Sequence, residues 1–296
     1  MTKDRRKNKG GSIWGFLIAG FLIGAAFIVI VFRYGEFWKT SAPVKVVEKP
    51  AMLQPGPKSI PEAVKQAPVM AKPRGEYPKV AIVIDDMGQD IKKLNELLQL
   101  HEPITVAVIP NLRYSRETAE RASNRGLEVL LHIPMEPKDL KNNNPGKGAL
   151  FTGMTQQDIR KTMEDDFRTV PHAIGVNNHM GSKFTENAAL MRTVLLVVKK
   201  KDLFFLDSRT TPKSVGGKIA REIGVRNADR NVFLDNTRDG KYIKGQILEL
   251  IKIARKKGKA IAIGHPYSET IEALKESVPT LNDSGIEVVK LSEMMK

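Results

Sequence analysis

The sequence predicts an α/β domain over residues 78–296, built as an irregular (β/α) barrel of seven or eight strands. Short runs rich in β-branched and other apolar residues alternate with amphipathic, helix-like segments along this whole stretch. The runs are continuously apolar, which is typical of parallel strands covered by helices on both faces. Seven or eight repeats in about 219 residues favour a closed barrel over an open sheet, although periodicity alone does not decide closure.

The elements of this repeat follow one another in a regular order. The first apolar run, KVAIVI, ends at Ile84, and the last, IEVVKL, ends at Leu291. The runs between them are ITVAVI, LEVLLHI, AIGVN, LFFL, NVFL and AIAIG. Helix-like segments separate the runs near residues 89–100, 114–125, 155–168, 185–200, 213–223, 241–257 and 268–283.

The start of the chain predicts a membrane anchor. Residues 1–12 carry five Lys and Arg, whereas residues 13–32, IWGFLIAGFLIGAAFIVIVF, carry no formal charge. A run of this length can cross a hydrocarbon core of about 30 Å, and the basic flank places residues 1–12 in the cytoplasm. A cleaved signal peptide is the competing interpretation, but no clear A-x-A site follows. We therefore expect a single-pass protein of the cytoplasmic (inner) membrane, with everything after the anchor in the periplasm.

The segment that follows, residues 33–77, predicts a linker. Seven of the 17 prolines of the chain lie between residues 40 and 77, and no helix or strand period is sustained there. Such a composition favours extended polyproline II structure. We expect a semi-rigid spacer between the membrane and the domain of residues 78–296.

The formal charge of +15 is unevenly distributed. Residues 1–77 hold 13 Lys and Arg against 5 acidic residues, and residues 78–296 hold 35 against 28. Because the domain is only moderately basic, nucleic acid is not an expected partner. The absence of cysteine excludes disulfides, thiolate metal sites and a cysteine nucleophile, and it suits an oxidising compartment.

Polar and ionisable residues follow several predicted strands, at the pole where α/β barrels carry their active sites. The first strand ends in Asp85 and Asp86, and the third is followed by His132 and Glu136. The other residues at this pole are Asn177, Asn178, His179 and Ser182 after the fourth strand, Asp207, Ser208 and Arg209 after the fifth, Asp235 after the sixth and His265 after the seventh. We expect these side chains to share one pocket.

The two adjacent aspartates have two interpretations. In the structural one, Asp86 caps the following helix and Asp85 points into solvent. In the functional one, a metal ion or a proton transfer needs both carboxylates. Consecutive strand residues point to opposite sides, so at least one carboxylate should reach the barrel mouth, which favours the functional interpretation.

The other candidates also have structural alternatives. His132 could be a hydrogen-bonded core histidine, Glu136 a loop acid and His265 a residue that fixes a loop. Arg209 could clamp a substrate carboxylate or simply neutralise Asp207. Their common position at one pole favours membership of a site.

Imidazoles and carboxylates without sulfur form a site for Zn²⁺ or a similar divalent metal. One Asp with two of the His and Glu candidates would leave positions open for water, which is typical of a catalytic metal site. Metal-bound water, a carboxylate base and a histidine acid suffice to hydrolyse an amide or an ester.

The motifs IDDMG, HIPMEP, NNHMGS, LDSRT and GHP occur in that order over residues 78–296. Together they resemble the divergent polysaccharide deacetylases (YibQ-like), a branch of the NodB-like carbohydrate esterases. The resemblance implies the irregular (β/α) barrel of the polysaccharide deacetylases, with about seven strands. It also implies removal of N- or O-acetyl groups from cell-wall sugars with a divalent metal.

The resemblance also assigns roles to single residues. In the paired-aspartate motif, Asp85 corresponds to the catalytic base and Asp86 to a metal ligand. His132 corresponds to a metal ligand, and His265 to the catalytic histidine, which acts as the acid.

The second metal histidine of the family has no counterpart at its usual spacing. Relatives carry H-x-x-x-H after the third strand, whereas this chain has Glu136 in the second histidine position. Either Glu136 replaces that ligand or His179 supplies the imidazole from the next strand. We favour His179, which preserves the charge and softness of the site, and keep Glu136 as a residue that supports the ligands or as an alternative ligand. Further candidates for supporting or substrate contacts are Asn178, Asp207 and Arg209.

The predicted function is that of a membrane-anchored, metal-dependent hydrolase outside the cytoplasm, acting as a deacetylase on peptidoglycan or another envelope polysaccharide. The alternative is a catalytically inactive glycan-binding or envelope-scaffold module that uses the same pocket.

Overall fold

The computed structural model describes residues 77–296 of the chain. The predicted anchor, 13–32, and all but the last residue of the predicted linker, 33–77, lie outside the described residues. Within residues 77–296, no helix combines the length and the hydropathy that crossing a membrane requires.

The described residues form a parallel sheet whose strands alternate with helices. The strands are β1 (Lys79–Met87), β2 (Thr105–Val108), β3 (Val129–Met135), β4 (Ala173–Met180), β5 (Phe204–Asp207), β6 (Asn227–Asp229), β7 (Val232–Phe233), β8 (Lys259–Gly264) and β9 (Glu287–Val288). The helices are α1 (Ile91–Leu98), α2 (Ser115–Asn124), α3 (Gln156–Thr169), α4 (Ala188–Lys200), α5 (Gly216–Ile223), α6 (Gly240–Lys257) and α7 (Ser268–Asp283). Two 3₁₀ helices span Phe184–Glu186 and Leu291–Met294. The seven predicted helices are confirmed, with ends that differ by a few residues.

Several helices begin and end at residues suited to those positions. Asp90, Thr155 and Asp239 precede α1, α3 and α6, and the side chain of each accepts a hydrogen bond from a backbone N–H of the first turn. Gly224 and Gly258 end α5 and α6 in the left-handed conformation, which glycine adopts without steric cost. These local signals set where the helices begin and end.

The strands lie in the order β6-β5-β4-β3-β2-β1-β8-β7, and every pair is parallel. The short β9 pairs with the first residues of β1, Lys79 and Val80. Since β8 pairs with the same residues of β1, β9 lies on the edge that β2 uses farther along the strand. The central position of β1 places its carboxyl end near the middle of the sheet.

The sheet is an open half-barrel, which corrects the expectation of a closed barrel. In the described part of the chain, no ladder joins β6 to β7, the two ends of the strand order. Only Arg230 and Asn231 connect these strands, and a parallel pair needs a crossover of about a dozen residues or more. The chain therefore passes from one edge of the sheet to the other without pairing there. The sequence pattern also missed β6, which is short and partly polar.

Two hydrophobic cores cover the two faces of the sheet. The outer core packs Val80, Ile82 and Ile84 of β1 against the helices. The inner core contains the alternate residues Ala81 and Val83 and is closed by side chains of the C-terminal 3₁₀ helix. By this alternation the next inner residue of β1 is Asp85, so the sheet itself turns a carboxylate towards the barrel interior.

Candidate active site

The two adjacent aspartates lie at a β-bulge at the end of β1. Ile84 pairs with Val106 and Met87 pairs with Val108, so β1 has one residue more than β2 over this interval. Asp86 has a φ of 56°, in the left-handed region. A bulge of this kind changes the direction of a side chain. The bulge thus lets both carboxylates reach the same imidazole, that of His132, whereas simple alternation would have turned them to opposite faces of the sheet.

Asp86 lies between two histidines from neighbouring strands. Its Oδ1 is 2.8 Å from Nδ1 of His179 on β4 and 3.2 Å from Nε2 of His132 on β3. The two imidazole rings meet edge to face, with centroids 5.1 Å apart. One potential ligand atom from each of the three residues lies within 4.8 Å of those from the other two. The structure therefore brings together the three predicted metal ligands.

The environment of Asp86 fits a divalent cation. Its Oδ1 is buried, and no hydrogen-bond donor of residues 77–296 is aligned with this atom. Burial alone would raise the pKa of the Asp86 carboxyl, but the contacts with His132 and His179 outweigh burial and hold that pKa well below its usual range. A buried, ionised oxygen that faces two imidazole nitrogens, without sulfur nearby, is the donor set that Zn²⁺ and similar ions accept.

Asn177 on β4 links His132 to Asp85. Its Nδ2 donates to Oδ1 of Asp85 over 2.8 Å, and its Oδ1 lies 2.8 Å from Nδ1 of His132. Since that Oδ1 is an acceptor, His132 donates a hydrogen from Nδ1, and Nε2 is the ring nitrogen that faces Asp86. Asn177 was expected at this pole but was given no role, although its position two residues before His179 places both side chains on one face of β4.

Asp85 is buried, with 3% of its surface exposed. Burial raises the pKa of its carboxyl, although His132, His265 and the hydrogen bond from Asn177 oppose the change. While Oδ1 is held by Asn177, Oδ2 lies 3.5 Å from Nε2 of His132. Asp85 therefore presents one carboxylate oxygen to the three-residue cluster.

His265 approaches the same cluster from the end of β8. Its Nε2 lies 3.6 Å from Oδ2 of Asp86, and its Nδ1 lies 2.9 Å from Oδ1 of Asp235. Asp235 also accepts hydrogen bonds from the backbone N–H of His265 and the hydroxyl of Thr270. Burial would lower the pKa of the His265 imidazole, but Asp235 and Asp86 outweigh burial and raise it.

Asp235 was noted at the end of a predicted strand but not selected as a site residue. The signal for it was weak, because a single acid that ends an apolar run more often faces solvent. In the structure it is buried and orients His265.

Glu136 lies outside the cluster of possible ligands. Its Oε1 accepts from Nζ of Lys183 over 2.6 Å, and its Oε2 accepts from the backbone and the hydroxyl of Thr152. Burial opposes these contacts, which nevertheless lower the pKa of the Glu136 carboxyl. Glu136 thus ties the loop after β3 to the turn after β4, next to His179.

The remaining predicted residues hold the loop after β5. Asn178 accepts from the backbone N–H of Ser208 and donates to the carbonyl of Met180. Asp207 accepts from the hydroxyl of Ser214 and the backbone N–H of Arg209, and the guanidinium of Arg209 donates to backbone carbonyls of the same loop. These contacts place all three outside the Asp86 cluster and give them a structural role in the described residues.

Comparison with known proteins identifies the family of the chain. The sequence model of the divergent polysaccharide deacetylase family matches residues 82–295. An uncharacterized protein of Haemophilus influenzae is 38% identical over 218 residues, 74% of this chain and 77% of the relative. The uncharacterized protein YibQ of Escherichia coli is 38% identical over 217 residues, 73% of this chain and 67% of the relative.

A solved structure shares the fold. The crystal structure of an uncharacterized protein of Agrobacterium tumefaciens C58 matches 75% of this chain and 90% of its own, with 25% identity and a TM-score of 0.71. The resemblance inferred from the five motifs is confirmed by the family match and by the relatives. The chain belongs to the divergent polysaccharide deacetylase family.

Proposed function

We propose that this protein is a membrane-anchored, metal-dependent deacetylase of an envelope polysaccharide. The observation that carries the proposal is the convergence of Asp86, His132 and His179, with Asp85 and His265 beside them. Membership of the family supports a role of the carbohydrate-esterase kind. The sugar polymer is proposed to be peptidoglycan or another glycan of the cell envelope.

Asp86, His132 and His179 would hold the divalent metal, and Zn²⁺ suits their nitrogen and oxygen donors. When bound, such an ion supplies a water molecule of lowered pKa and polarises a carbonyl oxygen. Asn177 would support this site, because it accepts a hydrogen bond from Nδ1 of His132 and leaves Nε2 as the nitrogen available to the ion.

Asp85 is proposed as the general base. Its Oδ1 is occupied by the amide of Asn177, which leaves Oδ2 to accept the proton of an attacking water. Burial raises the pKa of this carboxyl and so increases its affinity for a proton. A positive ion on Asp86 would oppose that shift and keep Asp85 ionised at neutral pH.

His265 is proposed as the general acid. Asp235 accepts from Nδ1, so the imidazole turns Nε2 towards the cluster. The raised pKa keeps Nε2 protonated nearer to neutral pH, and this proton would pass to the leaving nitrogen or oxygen of the sugar. The C–N or C–O bond of the acetyl group breaks, and the products are acetate and the free amine or hydroxyl.

The place of action is proposed from the sequence. The uncharged run of residues 13–32 would anchor the chain in the cytoplasmic membrane, and the Pro-rich residues 33–77 would extend the domain towards the glycan. The basic residues 1–12 favour an orientation with the domain in the periplasm.

Acetate release by the purified full-length chain tests the proposed activity. Zinc-loaded protein is expected to release acetate from acetylated peptidoglycan fragments, and Asp85→Asn is expected to lower the rate at least 100-fold while retaining zinc. Asp165→Asn, which removes an exposed carboxylate from α3, serves as the matched control. Glycan binding with zinc bound and no acetate released by the wild-type protein would instead support the inactive binding module.

A further inference from the structure

The imidazole of His265 packs against an aromatic ring from the neighbouring strand. Phe233 on β7 is the register partner of Ile263 on β8, and His265 follows Ile263 by two residues. Because residues two apart along a strand share a face, Phe233 and His265 are diagonal neighbours on that face. Their ring centroids lie 5.2 Å apart, with an angle of 59° between the planes. Phe233 therefore borders the proposed acid directly.

The ring of Phe233 is in turn held by the half-buried guanidinium of Arg230. The central carbon of this guanidinium lies 4.8 Å from the centroid of the Phe233 ring, which is within the range of a cation–π contact. Nε of Arg230 donates to the carbonyl of Ser208 over 2.7 Å, and Nη2 donates to the carbonyl of Arg209 over 3.0 Å. Both hydrogen bonds are charge-assisted, so they hold the guanidinium firmly. Arg230 thus connects the Phe233 ring to the loop after β5.

Arg230 also lies where the half-barrel is open, in the short connection between β6 and β7. The backbone N–H of Arg230 donates to the carbonyl of Asp207 on β5, and that of the next residue, Asn231, donates to the carbonyl of Ile261 on β8. The connection is therefore bonded to strands on both sides of the opening. The side chain of Arg230 adds a second link, between Phe233 on β7 and the end of β5.

The hydrogen bond from His265 to Asp235 does not by itself fix the orientation of the imidazole. It restrains the position of Nδ1 but not the tilt of the ring plane, and a change in tilt moves Nε2. Proton transfer needs Nε2 within hydrogen-bond reach of the leaving group, so a small displacement is costly. Contact with the Phe233 ring restrains this tilt. Tyr267 gives a second contact, with ring centroids 5.3 Å apart, so loss of Phe233 would leave part of the restraint in place.

We propose that Phe233 and Arg230 are positioning residues for His265. Phe233 restrains the tilt of the imidazole, and Arg230 holds the Phe233 ring against the end of β5. The inference rests on the proposed function, in which His265 gives a proton to the leaving group. Both residues act through His265, whereas Asp235 is hydrogen-bonded to the imidazole itself.

Two substrates that differ in their need for an acid test the proposal on the zinc-loaded full-length chain. The amine or hydroxyl of an acetylated sugar leaves with a proton, whereas the phenolate of 4-nitrophenyl acetate leaves without one. Phe233→Leu and Arg230→Met should each lower kcat on acetylated peptidoglycan fragments about tenfold more than kcat on 4-nitrophenyl acetate, with KM for the fragments within about twofold. The control Phe167→Leu removes a ring of α3 that lies 4.8 Å from the Lys201 ammonium, and it should lower both rates by the same factor. Equal losses on the two substrates in Phe233→Leu would show a merely structural role and overturn the proposal.

A measurement by NMR on the same full-length chains separates this proposal from the proposed function, because it needs no acetate release. Relaxation dispersion of the Cε1–H group of His265, assigned with His265→Gln, reports motion of the imidazole on the microsecond to millisecond timescale. We expect little exchange broadening in the wild-type chain and in Phe167→Leu, and added broadening in Phe233→Leu and Arg230→Met as the ring samples more than one tilt. Unchanged relaxation in both of these variants would overturn the positioning role, whether or not the wild-type chain releases acetate.

Discussion

Nδ1 of His132 and Oδ1 of Asn177 lie 2.8 Å apart across two neighbouring strands, where the two residues are direct register partners. Because the two strands pair in this register, the amide oxygen of Asn177 lies where it can accept a hydrogen bond from Nδ1 of His132. The same amide also holds Asp85. One buried side chain thus orients both a proposed metal ligand and the proposed base.

Substitution of Asn177 should weaken metal binding without removing a ligand. In Asn177→Ala, His132 loses the acceptor for Nδ1–H, so we expect the affinity for Zn²⁺ to fall about 10- to 100-fold. Competition with a chromophoric chelator measures the change. The control is Asn178→Ala, whose side chain holds the loop after β5 and should lower stability while zinc affinity stays within about twofold. Equal zinc affinities in Asn177→Ala and the wild-type chain would contradict the orienting role.

Substitution of Asp235 should change the pH dependence of activity. Asp235 raises the pKa of His265, so Asp235→Asn should lower that pKa. If protonated His265 is the acid, activity is lost as pH rises through its pKa, and the alkaline limb should therefore move to lower pH. We also expect kcat to fall about 100-fold or more. In the control Asp239→Asn, the new side chain can still cap α6, and the alkaline limb should stay in place. An unmoved alkaline limb in Asp235→Asn would count against the assignment of His265 as the acid.

Substitution of Glu136 should leave the metal in place. Glu136 is occupied by Lys183 and Thr152, so Glu136→Gln is expected to retain one zinc per chain. His179→Gln, which removes one of the three clustered residues, is expected to lose most of the zinc after dialysis. Elemental analysis of both variants measures the content. If the Glu136 variant lost zinc and the His179 variant retained it, Glu136 rather than His179 would be the third metal ligand.

Asp166 should make folding stability depend on pH. It is buried on α3, Asn111 donates to its Oδ1, and among the described residues its Oδ2 has no hydrogen-bond partner. Burial raises its pKa to about 7, whereas in the unfolded chain it ionises near pH 4. Between these values the folded state holds one proton more than the unfolded state, so the stability contributed by Asp166 falls as pH rises from about 4 to 7.

The variant Asp166→Asn cannot ionise and should lack this decline. Denaturant unfolding should show similar stability for variant and wild type near pH 4, and a variant more stable by about 1–3 kcal/mol at pH 8. Glu164→Gln, an exposed change on the same helix, should follow the wild-type curve. Parallel curves for Asp166→Asn and the wild type would contradict the raised pKa.

The proposed topology is tested by a reporter enzyme fused after Lys296. A reporter that folds only in an oxidising compartment should be active in cells, because the basic residues 1–12 favour a periplasmic domain. Deletion of residues 13–32 should abolish that activity. Activity that survives the deletion, or a reporter active only in the cytoplasm, would refute the anchor.

The order of strands and helices could be predicted from the sequence because burial on both sides leaves continuous apolar runs. Closure could not be predicted, since it depended on the two residues between β6 and β7, and β6 itself has too few apolar residues to form a pattern. The spacing of apolar residues indicates which positions are buried, but it does not show whether the two edge strands of the sheet pair with each other.

The sequence could show which strand ends carry the residues of the candidate site. Asp85, Asp86, His132, His179 and His265 could be placed at one pole, because each follows or ends an apolar run. Their mutual geometry was not predictable, since the bulge at Asp86 reverses the expected direction of a side chain. Asn177 and Asp235 were placed at the same pole, but their roles depend on contacts between distant segments, which no local sequence pattern shows.

The central claim is that Asp86, His132 and His179 share one divalent ion. X-ray absorption at the zinc edge, on the full-length chain with one equivalent of Zn²⁺, tests this claim most directly. We predict a first shell of nitrogen and oxygen at about 2.0–2.1 Å that contains two imidazoles. A shell with no imidazole, with only one, or with a third from His265 would contradict the claim, as would a chain that retains no zinc.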